Sequence, residues 1–129
     1  KYLDRLKAAG NASIVLFSTV AVQTGMPYHA SIAAAKGAVE GLTRSLAAEF
    51  APAIRVNCIA PSLTNTPLAE RLLNNEAKMT AAKERHPLKR IGSAAETAEP
   101  AAFLLSDKSA FITGQVIKID GGISSLKLM

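Results

Sequence analysis

Apolar runs alternate with amphipathic stretches along this chain, and the alternation predicts strands separated by helices. The continuous run Ser13–Ser18 is typical of a strand buried on both faces, and further strands are predicted at Ile54–Ala60 and within Gly114–Asp120. Helices are predicted for Lys1–Ala9, Ala30–Phe50, Leu68–Leu73, Glu76–Glu84 and Ser93–Ser106. This order favours an α/β layer fold with parallel strands and right-handed crossovers.

The longest predicted helix, Ala30–Phe50, has one apolar face and one face of small residues. At 3.6 residues per turn, the apolar face collects Ile32, Ala35, Val39, Leu42, Leu46 and Phe50. The opposite face collects Ala34, Gly37, Ala38, Gly41, Ser45 and Ala48. We expect the apolar face to cover the core and the small face to let another helix approach closely. Lys36 lies at the edge of the apolar face, where its stem could rest on the core while its amine reaches water.

The predicted helix ends have recognisable signals. Gly10-Asn11 is a helix stop, and Ser93 with Glu96 has the spacing of a capping box. Pro100 lies inside the last predicted helix, where it removes a backbone hydrogen bond, so we expect a kink there.

Composition excludes several classes of function. No apolar run approaches the ~20 residues of a membrane-spanning helix, so we expect no membrane insertion. The single Cys58 permits no internal disulfide and suggests a buried thiol in a cytoplasmic protein. The net charge of +5 is scattered, and two Tyr with four Phe are too few for base stacking, which argues against nucleic-acid binding. A start at Lys1 rather than Met suggests a piece of a longer protein.

Polar residues follow each predicted strand. Ser18-Thr19 follows the first strand, Pro61–Thr66 the second and Asp120–Gly122 the third. The carboxyl ends of parallel strands meet at one edge, where open α/β sheets bind ligands. Because Lys36 lies near the start of the helix after the first loop, we expect it to join these hydroxyl groups at the same edge.

Five motifs together resemble the short-chain dehydrogenase/reductase family, over nearly the whole chain. They are Ile14–Thr19, Ala33–Val39, Arg55–Pro61, Pro87–Gly92 and Ile112–Gly122. The match is to about the second half of a family member. The resemblance therefore implies the C-terminal half of a Rossmann-like, doubly wound parallel sheet, with about three strands and flanking helices in one partial domain over residues 1–129.

The resemblance also implies a chemistry, the reversible transfer of a hydride between NAD or NADP and an alcohol or carbonyl. A family tyrosine protonates the carbonyl, and a lysine four residues later lowers that tyrosine's pKa and holds the nicotinamide ribose. Lys36 matches this lysine. Thr19 matches the serine that orients the carbonyl, with Ser18 beside it as a second candidate.

The loop after the second strand resembles the segment with which the family holds the nicotinamide. Pro61 matches, and Ser62 replaces the usual glycine. Thr64 falls at the position of a backbone contact and Thr66 at that of a hydroxyl contact. No metal ligands are implied.

The chain departs from the family at two places. Ile32 stands where the family has its tyrosine, and isoleucine cannot exchange a proton; Tyr28 or His29, a few residues earlier, could reach the site instead. The family's first half, with its glycine-rich turn, has no counterpart, and no G-x-G-x-x-G pattern occurs here.

Three hypotheses stay open. The chain could be part of an NAD(P)-dependent oxidoreductase, a non-catalytic remnant that binds a partner or self-associates, or a nucleotide-binding module without reductase activity. We expect the 129-residue chain alone to bind NAD(P)H weakly or not at all, and to be inactive. We also expect a homo-oligomer formed through the Ala30–Phe50 helix and the exposed edge of Ile14–Ser18.

Overall fold

The computed structural model describes residues 2–127, and a parallel three-stranded sheet lies at its centre. The strands are β1 (Ala12–Phe17), β2 (Ile54–Pro61), β3 (Thr64–Asn65), β4 (Gly92–Ser93) and β5 (Val116–Ile119). The helices are α1 (Leu3–Ala9), α2 (Ala30–Phe50), α3 (Glu70–Leu73), α4 (Glu76–Arg85) and α5 (Ala94–Leu105), with 3₁₀ turns at Val20–Val22, Pro67–Ala69 and Asp107–Ser109. The predicted elements are therefore present within a few residues of their expected ends; Lys1 lies outside the described residues.

The central sheet has the strand order β1-β2-β5, with every pair parallel. In β1, Ile14 and Leu16 pack with the core beneath α2, whereas the Ser13 hydroxyl donates a hydrogen bond to the Leu104 carbonyl of α5. Successive side chains of a strand point to opposite faces, so α2 and α5 cover opposite faces of the sheet. The connection from β1 to β2 through α2 and the connection from β2 to β5 through α5 both advance in the same direction across the sheet. Because their helices lie on opposite faces, the two crossovers have opposite handedness. The expectation that every crossover is right-handed is therefore wrong.

The middle strand is buried on both faces and the edge strand is not. In β2, Val56, Cys58 and Ile59 have no solvent exposure. The β1 residues are mostly half-buried, and Phe17 at its end is exposed, which corrects the prediction that this run is buried on both sides. The edge position explains the difference, because β1 pairs with β2 alone among the described strands.

The face of α2 that packs on the sheet differs from the predicted one. The buried residues are Glu40, Thr43, Ala47 and Phe50, whereas Ile32, Ala35 and Leu42 are exposed. At 100° per residue, the buried face is turned roughly 70° around the helix axis from the predicted face. The small-residue face is approached at Gly37 by the Val22 side chain of a 3₁₀ turn, and not by a helix.

The helix ends follow their predicted chemistry. Gly10 ends α1 in the left-handed region with φ +74°, and Ser93 and Glu96 form both bonds of the capping box that begins α5. Arg90 and Ser93 hydrogen-bond to the Glu96 carboxylate and lower its pKa to about 2. Pro100 lies within α5, and the helix continues through it.

The loop after β2 contains structure that the sequence does not predict. Thr64 and Asn65 form the short strand β3, which pairs in parallel with Gly92 and Ser93 of β4. This pairing connects the loop after β2 to the segment that leads into α5.

Candidate active site

The predicted site residues lie at the carboxyl edge of the central sheet. Ser18 and Thr19 follow β1, Ser62 follows β2, and Asp120 follows β5. Within residues 2–127, no group of three or more His, Cys, Asp or Glu side chains is arranged to hold a metal ion, and no helix is long and apolar enough to cross a membrane.

The side-chain amine of Lys36 hydrogen-bonds to the end of β1. Its position on the second turn of α2 brings Nζ within 2.8 Å of the Phe17 carbonyl, to which it donates a hydrogen bond. An ammonium group has three donors, so this bond leaves two for a ligand. The Lys36 side chain is half-buried at the sheet edge, with its amine on the side where the strands end.

Ser18 is turned inward, into a buried polar cluster. Its hydroxyl donates to Oε1 of Glu40 at 2.7 Å and lies 3.4 Å from the Lys36 carbonyl. Glu40 is 5% exposed, and its Oε2 accepts from the Gln23 amide at 3.4 Å. A buried carboxylate needs such partners, because removing its charge from water is costly. The cluster joins both ends of residues 18–23 to α2, and neither Glu40 nor Gln23 was among the predicted site residues.

Thr19 lies between Ser18 and Gln23, and its hydroxyl makes fewer hydrogen bonds than that of Ser18. Its Oγ1 accepts a hydrogen bond from the Ala21 amide at 3.3 Å, which caps the 3₁₀ turn that follows. None of the described hydrogen bonds uses the Thr19 hydroxyl proton. Of the two candidates, Thr19 therefore has a donor available for a carbonyl, whereas the Ser18 proton is committed to Glu40.

The residue four positions before Lys36 has no ionisable group that could donate a proton. Ile32 lies one helical turn earlier and is 43% exposed. Tyr28, predicted as a possible substitute, is fully exposed with φ +65°, and its hydroxyl makes none of the described hydrogen bonds. His29 is exposed, and its Nδ1 lies 2.7 Å from the Pro27 carbonyl. The structure thus brings neither aromatic side chain into hydrogen bonding with Lys36 or Thr19.

The loop after β2 presents a row of hydroxyl groups beside the half-buried Pro61. The Thr64 hydroxyl donates to the Ser62 carbonyl at 3.1 Å, and the Thr66 hydroxyl lies 3.5 Å from the Thr64 carbonyl. The Ser62 side chain contacts His86 at the end of α4, with 2.9 Å between Oγ and Nε2. His86 was not among the predicted site residues, and the signal that could have pointed to it is Ser62, a serine at a position where the family has glycine.

The turn after β5 is organised by Asp120. Burial alone would raise the pKa of its carboxyl, but hydrogen bonds from the Ser124 side chain and from the Gly122 and Ser124 amides outweigh burial and lower it. Gly122 has φ +88°, a conformation that strains any residue with a Cβ atom, and a Cβ there would also crowd the side chains of Leu126 and Pro87.

Cys58 lies beneath the site, on the buried face of β2 that α2 covers. Burial raises the pKa of its thiol, and the charge of Glu40 adds to this effect, whereas a hydrogen bond with Thr43 and the charge of Lys36 oppose it. The prediction of a buried thiol is confirmed.

Two clefts open near the loop after β2. One, of about 380 Å³, lies between the loop and the helices α3 and α4, and is lined by Asn65, Thr66, Pro67, Glu70, Leu73 and Met79. The other, of about 290 Å³, opens beside His86 and Asp120 and includes Arg90, Glu96 and Lys118. The first cleft adjoins Thr66, and its lining combines the polar Asn65, Thr66 and Glu70 with apolar side chains.

Comparison with known proteins assigns the chain to a family. A family model described as enoyl-(acyl carrier protein) reductase matches residues 1–124. The chain is 43% identical to a tropinone reductase homolog of Arabidopsis thaliana over 120 residues, which cover 92% of this chain and 46% of the relative. The structure of a Brucella melitensis short-chain dehydrogenase/reductase, described as a glucose/ribitol dehydrogenase, superposes with a TM-score of 0.82 at 38% identity, over 88% of this chain and 46% of that one.

The chain belongs to the short-chain dehydrogenase/reductase family. A gluconate 5-dehydrogenase from Burkholderia cenocepacia, solved with NADP and tartrate, superposes with a TM-score of 0.89 at 32% identity, over 97% of this chain and 49% of that one. Relatives and structural neighbours of the chain are NAD(P)-dependent oxidoreductases of this family. The chain spans about half the length of the relatives that it matches.

Proposed function

We propose that this chain forms the nicotinamide- and substrate-facing half of an NAD(P)-dependent oxidoreductase site, and that by itself it does not transfer hydride. One observation carries the proposal. Lys36 Nζ lies at the carboxyl edge of the sheet with two unused donors, and Thr19 follows β1 at the same edge with an available hydroxyl. Ile32 stands where a proton donor is needed.

The donor set fits the nicotinamide end of such a cofactor. Lys36 would donate hydrogen bonds to ribose hydroxyl groups, and the loop of Ser62, Thr64 and Thr66 would lie against the nicotinamide. The Thr19 hydroxyl would orient a carbonyl oxygen of the substrate. The bound cofactor supplies the hydride acceptor or donor.

Proton transfer is the step that these residues do not support. A carbonyl that accepts a hydride needs a proton on its oxygen, and general acid catalysis contributes about 10²–10⁴-fold to rates. The Ile32 side chain has no proton to give, and Tyr28 is directed into solvent. The chain therefore binds and orients but lacks the acid, which is the reason for proposing inactivity.

The test uses nicotinamide mononucleotide, which carries the nicotinamide, ribose and one phosphate. In an NMR titration of the full 129-residue chain, we expect weak binding, with shifts at Lys36, Thr64 and Thr66. Lys36→Met should weaken binding about tenfold, since a charge-assisted hydrogen bond contributes about 1.5–3 kcal/mol. Lys83→Met, at an exposed position on α4, is the matched control and should bind as the unmodified chain does.

Two results would contradict the proposal. Equal affinities of the Lys36→Met and Lys83→Met variants would remove Lys36 from the binding site. Oxidation of NADPH above background by the chain with a panel of aldehydes and ketones would show that a proton donor exists despite Ile32.

The exposed apolar surface of α2 favours a second role, self-association. Ile32 and Leu42 are 43% and 50% exposed, and β1 leaves one edge unpaired among the described strands. Both features recruit partners in sheet proteins. Homo-oligomerisation predicts a dimer or larger species in sedimentation experiments at micromolar concentrations. Leu42→Glu should weaken it, and Ala48→Glu, exposed elsewhere on α2, should not; a monomer throughout would refute this role.

A further inference from the structure

The contact between Ser62 and His86 links the loop after β2 to the end of α4. His86 is 2% exposed, and both of its ring nitrogens have partners: Nδ1 lies 2.8 Å from the Ala82 carbonyl and Nε2 lies 2.9 Å from Ser62 Oγ. A carbonyl oxygen can only accept a hydrogen bond, so Nδ1 carries the ring proton in the neutral imidazole. Nε2 is then an acceptor, and the Ser62 hydroxyl donates to it.

Ser62 is connected to Thr64 and Thr66 by consecutive hydrogen bonds along the loop. The Ser62 carbonyl accepts from the Thr64 hydroxyl, and the Thr64 carbonyl faces the Thr66 hydroxyl. Both threonine protons therefore point back along the loop, which leaves the lone pairs of these oxygens as acceptors for a ligand. Ser62 also donates its amide to the Ile119 carbonyl of β5, so the first residue of the loop is held at both its backbone and its side chain.

We propose that His86 and Ser62 are positioning residues that hold the loop of residues 61–66 in the arrangement that presents Thr64 and Thr66 to a nicotinamide nucleotide. The ligand part of this proposal rests on the proposed function; the mechanical part does not. His86 need not contact the ligand, and the positioning role of Ser62 depends on its bond to His86. Ser62 matters because a glycine at this position has no side chain with which to reach His86.

Hydrogen exchange of the full chain, read by mass spectrometry over peptides, tests the mechanical part. We expect Ser62→Ala and Ser62→Gly to raise amide exchange in residues 61–66 by roughly 3- to 10-fold, the range expected for one neutral hydrogen bond. Amides of β1 and β2 should exchange at unchanged rates. Ser45→Ala, which removes an exposed hydroxyl from α2, is the matched control and should change neither region.

Substitutions of His86 separate its two bonds. The Oε1 of glutamine can take the place of Nε2, so His86→Gln should keep the loop protected. Asparagine can donate to Ala82 but is too short to reach Ser62, so His86→Asn should open the loop as Ser62→Ala does. Combining His86→Asn with Ser62→Ala should add little to either change, because both remove the same bond.

Three outcomes have defined meanings. Local, non-additive opening of residues 61–66 supports the positioning role. A uniform rise in exchange across the whole chain, or independent effects of the two substitutions, overturns it in favour of a general stabilising contact. If Ser62→Ala opens the loop while nicotinamide mononucleotide leaves its exchange unchanged in the unmodified chain, the positioning role stands and the proposed function fails.

Discussion

The two faces of α2 depart from the usual distribution, with polar side chains among the buried residues and large apolar ones among the exposed residues. The inner face buries the carboxylate of Glu40 and the hydroxyl of Thr43, whereas the outer face leaves Leu42 half exposed. Thr43 bonds to the Val39 carbonyl of its own helix, and Glu40 accepts from Ser18 and Gln23. Buried polar groups are tolerated when they are hydrogen-bonded. The orientation of this helix therefore reflects its polar partners at the end of β1 as much as its apolar residues.

The largest expected difference between the two faces is in stability. Phe50→Ala should lower the free energy of unfolding by about 3 kcal/mol, because Phe50 packs with Ala47, Ile54 and Val56 in the core. In dilute, monomeric protein, Leu42→Ala should cost less than about 1 kcal/mol, since half of that side chain is exposed to water. Urea denaturation measures both. Equal losses would mean that the outer face is packed in solution.

The rate of thiol labelling compares the buried and exposed faces of α2 without a stability measurement. Burial raises the pKa of Cys58 and shields its sulfur, so labelling by iodoacetamide at pH 8 should be slow. In the Leu42→Cys variant, the outer thiol should react about 100-fold faster than Cys58, as measured by mass spectrometry of the two peptides. Rapid labelling of Cys58 in the folded chain would show that α2 does not stay closed over β2.

The smallest expected effect concerns the buried carboxylate. Glu40→Ala should destabilise the chain by about 1–3 kcal/mol, because it leaves the Ser18 hydroxyl buried without its partner. Glu40→Gln keeps an acceptor for Ser18 and should cost less. Glu49→Ala, at an exposed position of the same helix, is the control. Indistinguishable stabilities for the Glu40→Ala and Glu49→Ala variants would mean that the cluster around Glu40 does not orient α2.

Local patterns are sufficient to predict the longer elements and several of their ends. Apolar runs located β1 and β2, and the chemistry of Gly10 and Ser93 located two helix ends. The edge of the sheet that carries Thr19 and Lys36 followed from parallel topology alone. These features depend on neighbours within a few residues, which the order of amino acids displays directly.

The remaining features depend on partners far along the chain. Glu40 is satisfied by Ser18, 22 residues away, and Ser62 by His86, 24 residues away. The two-residue strands β3 and β4 are too short to show any periodicity. A helical wheel assigns Glu40 to the solvent-exposed face, because it does not show the Ser18 hydroxyl and the Gln23 amide that hydrogen-bond to the Glu40 carboxylate.

The central position of β2 has a consequence for how the chain folds. Its backbone is paired with β1 on one side and with β5 on the other, and its Asn57 side chain accepts from Gln115, 58 residues later. Contacts between such distant residues give a high contact order, which slows folding. During synthesis, β2 can pair on that side only after residues 116–119 have left the ribosome, and until then its unpaired edge is open to pairing with another chain.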